Sequence, residues 1–124
     1  MAAREIIEEH TQACIDAGLM IEGTNAEVMP GQWEYQIGAA DALTVCDHMY
    51  VARWLLHRIA EDYDVVVSFD AKPAKGDWHG AGAHTHFSTK AMREDTDMKA
   101  IAAPCRALST KETTHGGHKD NDNQ

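Results

Sequence analysis

Apolar residues recur at helical spacing over residues 3–17, where Ile6, Ile7, His10, Cys14 and Ala17 fall near one stripe. Glu5, Glu8, Glu9, Gln12 and Asp16 occupy the rest of the circumference, and Gly18 suits the stop. Residues 19–21 lead into a strand. A period of two follows in Trp33, Tyr35 and Ile37, which alternate with Glu34, Gln36 and Gly38 and so lie on opposite faces of a second strand. Between them stands Pro30-Gly31. Proline presets φ for the first central position of a turn and glycine accepts positive φ at the second, so the segment predicts a hairpin or sharp corner. A second helix is expected over residues 41–63. Its apolar positions, from Leu43 through Val45, Met49, Trp54 and Leu55 to Ile59, are too broad for one stripe and predict packing on two sides. Residues 65–69 are a β-branched run expected as a buried strand. Residues 70–82 form a loop rich in Gly, Pro and Lys, and residues 83–89 return as a strand. A last helix over residues 97–108 should be interrupted at Pro104. From Ser109 the chain turns polar, and residues 111–124 are expected as a disordered tail in which His115 and His118 are incidental rather than metal-binding. The predicted strands and helices make the fold class α+β.

Composition narrows the partners. At 124 residues there is room for one domain, and 44% hydrophobic with 25% charged residues is an ordinary globular balance. A net charge of −9 argues against a nucleic-acid backbone as partner, which needs an excess of Lys and Arg. No apolar run is long enough to span a bilayer and the N-terminus lacks a signal pattern, so no membrane and a cytoplasmic location are expected. Cys14, Cys46 and Cys105 are odd in number and widely spaced, and read as reduced, mostly buried thiols.

Candidate chemistry centres on two carboxylates, Glu27 and Glu34, flanking the Pro30-Gly31 turn. They are either a solvated sheet face or ligands. Further on, alternation over residues 83–89 would set His84, His86 and Ser88 on one strand face, roughly 6.5–7 Å apart in sequence along it. His84 is either a metal ligand or a hydrogen-bonded surface histidine. Carboxylates with an imidazole and open positions suit Mg²⁺ or Mn²⁺ bearing a nucleotide phosphate, since hard cations prefer oxygen. Asp77-Trp78-His79-Gly80-Ala81-Gly82 has small residues where a ligand could approach backbone, or is simply a surface loop. It lacks the G-x-x-x-x-G-K-[ST] spacing of a phosphate loop.

Two long stretches in this order resemble one family. Asn25-Ala26-Glu27-Val28-Met29-Pro30-Gly31-Gln32-Trp33-Glu34-Tyr35-Gln36-Ile37-Gly38 and Gly80-Ala81-Gly82-Ala83-His84-Thr85-His86-Phe87-Ser88-Thr89-Lys90-Ala91-Met92-Arg93 are similar to segments of the glutamine synthetases, the eukaryotic-like (type II) branch in particular. The resemblance spans roughly residues 4–110 and implies that residues 1–110 are a segment of that family's catalytic domain, a partial antiparallel sheet (part of its barrel-like sheet) with flanking helices. It implies Glu27 and Glu34 as ligands of one divalent ion and His84 as ligand of the other. It implies glutamate contacts from Asp77, Trp78, His79 and Gly80, and ATP contacts from Glu34, Tyr35, Gln36, Ile37, Gly38, His86, Phe87 and Ser88. His79 and His86 stand where the family commonly has asparagine. The implied reaction joins ammonia to glutamate through γ-glutamyl phosphate at the expense of ATP, with Mg²⁺ or Mn²⁺, in a homo-oligomeric ring. The family's upstream Glu-x-Glu strand, downstream glutamate and phosphate-gripping arginines have no counterpart here. No catalytic residue is assigned within the segment, and the chain alone is expected to be inactive. A truncated product or pseudoenzyme that keeps metal and nucleotide binding is the alternative. A cupin-like metal site fails on spacing, with Trp78 where it needs glycine and Lys90 and Ala91 where it needs glutamate.

Overall fold

The computed structural model describes residues 2–94 and 98–109, and forms two units, Met1–Ser68 and Phe69–Gln124. The expected polar tail, residues 111–124, lies outside the described residues, as does the predicted start of the last helix at Asp97.

In the first unit, helix α1 (Arg4–Asp16) buries Ile7, His10 and Cys14, three of the five residues of its predicted stripe. Its end is set by backbone chemistry. Gly18 takes φ 74°, its N–H donates to the Ile15 carbonyl, and the Leu19 N–H donates to the Cys14 carbonyl. This paired closure satisfies carbonyls that the helix leaves open, and it needs the left-handed conformation that glycine adopts freely. Strand β1 (Ile21–Ala26) then pairs antiparallel with β2 (Trp33–Ile37) in the register Asn25 opposite Glu34 and Ala26 opposite Trp33. The connection turns at Pro30-Gly31: the Gln32 N–H donates to the Met29 carbonyl at 3.0 Å, with Gly31 at φ 81°.

Helix α2 (Ala42–Asp62) begins at Asp41, whose carboxylate accepts from the Thr44 N–H at 3.1 Å and from the Thr44 hydroxyl at 2.6 Å. These bonds hold the Asp41 carboxyl below its usual pKa. Ala52, Ile59 and Ala60 are buried, and the helix packs on α1 and on β2. A helix and the sheet thus cover two sides, as its broad apolar surface predicts, yet Leu43 (71%), Tyr50 (78%) and Trp54 (60%) stay exposed.

Other expectations fail. Residues 65–69 are irregular rather than strand, and Val66 is 95% exposed. Residues 83–89 are likewise irregular and exposed. Strand formation depends on a neighbour to complete the ladder, and the two-stranded β1–β2 sheet is all that the described residues form. Cys46 and Cys105 are exposed, leaving Cys14 as the buried thiol. The second unit instead holds a short helix α3 (Lys90–Glu94), not foreseen from the sequence, and α4 (Lys99–Ser109). The Thr89 hydroxyl accepts from the Met92 N–H at 3.2 Å and so caps α3. Helix α4 runs through Pro104 without a break, although the ring forfeits one ladder bond and crowds the carbonyl four residues earlier. No helix among the described residues is long and apolar enough to cross a membrane.

Candidate functional site

The hairpin sorts its side chains by face. Trp33 and Tyr35 turn toward the helices. The Trp33 indole N–H donates to the Ala2 carbonyl at 2.9 Å, the Arg4 guanidinium stands 5.4 Å over the indole, and the Tyr35 hydroxyl meets the Met49 sulfur at 3.5 Å. Tyr35 packs edge-on against His10, ring centroids 4.9 Å apart. Burial pushes the Tyr35 phenol above its usual pKa.

Because strand side chains alternate, Asn25, Glu34 and Gln36 fall on the other face, and Glu27, one residue past β1, joins them through Asn25. There the Asn25 amide donates to Glu27 Oε1 at 3.0 Å, and the Gln36 amide donates to Glu34 Oε1 at 3.1 Å. Asn25 also stands directly opposite Glu34 in register. Each carboxylate is thus steadied by a neutral amide through one oxygen, which fixes its orientation without neutralising its charge. The role of Asn25 went unnoticed in the sequence, although the same alternation that groups Glu34 with Gln36 groups Asn25 with Glu27.

Two oxygen-rich, charged groups on one face match the donor preference of Mg²⁺ or Mn²⁺. The match is partial: among the described residues no three His, Cys, Asp or Glu side chains gather closely enough to hold a metal ion. Glu27 and Glu34 belong to the first unit and His84 to the second.

Gly38, just past β2, lies against the flexible side chain of Glu22. A Cβ there would come within 2.4 Å of Glu22 Oε1, because the Glu22 carboxylate lies across it to accept from the Ala39 N–H at 3.3 Å. Ile37 is half-buried beside it and pairs with Ile21.

In the second unit, residues 71–81 close into a loop through the Ala81 N–H, which donates to the Ala71 carbonyl at 2.7 Å. The Lys72 ammonium donates to the Trp78 carbonyl, and Gly76 turns at φ 103°. Asp77, Trp78 and His79 are exposed on this loop and Gly80 is half-buried. His84, His86 and Phe87 are exposed on irregular chain, so the single strand face expected to align His84, His86 and Ser88 does not form. Ser88 is held instead by Arg93, whose Nη1 donates to both its carbonyl and its hydroxyl oxygen at 2.8 Å. With an acceptor site of that hydroxyl engaged, its own proton stays available to donate. Nothing in the sequence pattern pointed to Arg93; the signal was Thr89 as a helix cap, which sets Arg93 one turn from Ser88.

Comparison with known proteins completes this picture. The glutamine synthetase catalytic domain matches residues 1–110. The chain belongs to the glutamine synthetase family. It is 62% identical over 118 residues to a glutamine synthetase of Frankia alni, covering 95% of this chain and 33% of that one. It is 64% identical over 105 residues to one of Streptomyces hygroscopicus, covering 85% and 30%. With that of Homo sapiens it shares 52% identity over 112 residues, covering 90% and 30%. The chain thus spans about a third of the length of the curated relatives it matches.

Proposed function

We propose that this chain is a catalytic-domain segment of a glutamate–ammonia ligase, with residues 1–110 forming the segment and residues 111–124 a polar tail. The observation that carries the reading is the hairpin: Glu27 and Glu34 share one face, each steadied by an amide, while Trp33 and Tyr35 anchor the other face on the helices. In the reaction, a γ-carboxylate oxygen of glutamate attacks the terminal phosphorus of ATP and the bond to ADP breaks. Ammonia then attacks the acyl carbon, phosphate leaves, and the nitrogen loses a proton. Glu27 and Glu34 would hold one Mg²⁺ or Mn²⁺ and His84 another, and such ions when bound lower the charge on phosphoryl oxygens. Asp77, Trp78, His79 and Gly80 would meet glutamate. Tyr35, Gln36, Ile37, Gly38, His86, Phe87 and Ser88, with Glu34, would border the nucleotide. The Ser88 hydroxyl, its acceptor side engaged by Arg93, would donate to an acceptor atom of that nucleotide. A cytoplasmic homo-oligomeric ring, without nucleic-acid or membrane partners, goes with this reading.

Mn²⁺ titration followed by water-proton relaxation tests it. The 124-residue chain should bind Mn²⁺ weakly, and Glu34→Gln should lower the affinity about tenfold or more, because an amide lacks the charge that holds a hard cation. Glu27→Gln should act alike. Titrations unchanged by both substitutions would remove these carboxylates from the site.

A further inference from the structure

His10 is the largest fully buried side chain and the one charged or polar residue of the first unit's core, at 0% exposure. It lies at the junction of three elements. Its Nε2 stands 2.9 Å from the Ala52 carbonyl of α2 and 3.3 Å from Cys14 Sγ, one turn along α1. Its ring abuts Tyr35 of β2. A carbonyl can only accept, so Nε2 must carry the proton. That nitrogen therefore cannot take the Cys14 proton, and burial pushes the thiol up to about 11. A thiolate–imidazolium pair is excluded here on both counts. Nδ1 is then the unprotonated nitrogen. It is buried and has no hydrogen-bond partner among the described residues.

Binding a proton at Nδ1 would place an N–H and a positive charge in a buried position where no described residue accepts a hydrogen bond from it. The ionisable groups around the ring offer no compensation. Cys14 on α1 and Tyr35 on β2 are neutral at ordinary pH, Arg53 of α2 acts on Tyr35 with the same sign as an imidazolium, and Glu22 of β1 is turned to the Ala39 N–H. We propose that His10 is an acid-sensitive latch: α1 stays docked on α2 and the hairpin only while the ring is neutral, and protonation of Nδ1 releases the helix from the strand pair that carries Glu27 and Glu34. Burial also lowers the His10 pKa, the Ala52 carbonyl opposing only in part. The direction follows. The unfolded chain binds the proton more readily, so stability is fully present above about pH 6.5 and is lost as pH falls from there through the folded-state pKa. The inference stands apart from the catalytic reading and needs no metal or nucleotide.

The test is urea unfolding of the full 124-residue chain by far-UV circular dichroism across about pH 7.5 to 5, beside His10→Gln, whose amide can still donate toward Ala52 but does not titrate. Below about pH 6.5 the folded-to-unfolded ratio of the wild type should fall relative to the variant by about tenfold per pH unit until the folded-state pKa is reached. Parallel pH dependences of the two proteins would overturn the proposal, and so would absence of a cooperative transition in the wild type at about pH 7.5. Should His10→Gln fail to fold, long-range ¹H–¹⁵N spectra of the wild type decide. An Nε2–H tautomer at neutral pH, with Nδ1 protonating only as the native signals of Trp33 and Tyr35 disappear, supports the latch. An Nδ1–H tautomer, or protonation with those signals retained, overturns it.

Discussion

Single residues in the first unit are governed by which side of the hairpin or helix they fall on, and their reactivity follows. Cys14 is fully buried on α1 beside His10, whereas Cys46 and Cys105 are exposed. Only a thiolate alkylates. With its pKa pushed to about 11, Cys14 is ionised to about one part in a thousand at pH 8, and the packing that raises its pKa also shields it. Brief iodoacetamide treatment of the native chain at that pH should label Cys46 and Cys105 and spare Cys14, with all three labelled in urea. Peptide mass spectrometry reads the outcome, and labelling of Cys14 at a rate comparable to the other two would mean that α1 is not packed as described. The same distinction limits what sequence could supply. Three cysteines in one composition look alike, each can pass as an apolar helix position, and nothing local indicates that Cys46, on the long helix α2, is exposed while Cys14 is buried.

Elements specified by their own chemistry were legible, and those that depend on distant partners were not. Helix α1 has an amphipathic stripe and a glycine stop, α2 has Asp41 as its cap, and the hairpin has Pro30-Gly31, so each is encoded within a few residues. Face assignment in β2 followed from strict alternation, which set Glu34 on the polar side opposite Trp33 and Tyr35, whereas Glu27 was tied to Glu34 only by flanking the same turn. Residues 65–69 and 83–89 carry the composition of strands but are irregular. Their β-branched and alternating patterns state a preference for pairing that the described residues do not satisfy. With the second run went the common face of His84, His86 and Ser88. Gly31 tests the local encoding. It sits at φ 81° with open space where a Cβ would stand, so Gly31→Ala meets no clash and isolates the backbone cost of the left-handed conformation, about 1 kcal/mol. Urea unfolding should show a loss of that size with an unchanged slope, and Gly31→Asn should recover part of it, since asparagine tolerates this region better. A neutral Gly31→Ala would mean that the turn is not held in the positive-φ form.

For the whole molecule, binding and turnover make different demands. The proposed capture of a divalent ion asks only for the two carboxylates of the hairpin, Glu27 and Glu34. Phosphoryl transfer from ATP to a carboxylate asks for more: two anions must be brought together, their charge neutralised in place, and water kept from the acyl phosphate. Among the described residues no third acidic, histidine or cysteine donor joins Glu27 and Glu34, and the candidate glutamate loop of Asp77, Trp78 and His79 is exposed. The chain also matches only about a third of each relative's length. Helix α2 meanwhile leaves Leu43, Tyr50 and Trp54 uncovered. The purified 124-residue chain, given ATP, Mg²⁺, glutamate and hydroxylamine in place of ammonia, should therefore form no γ-glutamyl hydroxamate above the enzyme-free background. The same preparation should still give the Mn²⁺ titration that depends on Glu27 and Glu34, which separates an incomplete site from a misfolded chain. Hydroxamate formation that requires ATP and disappears in Glu34→Gln would show instead that these residues alone assemble a working centre.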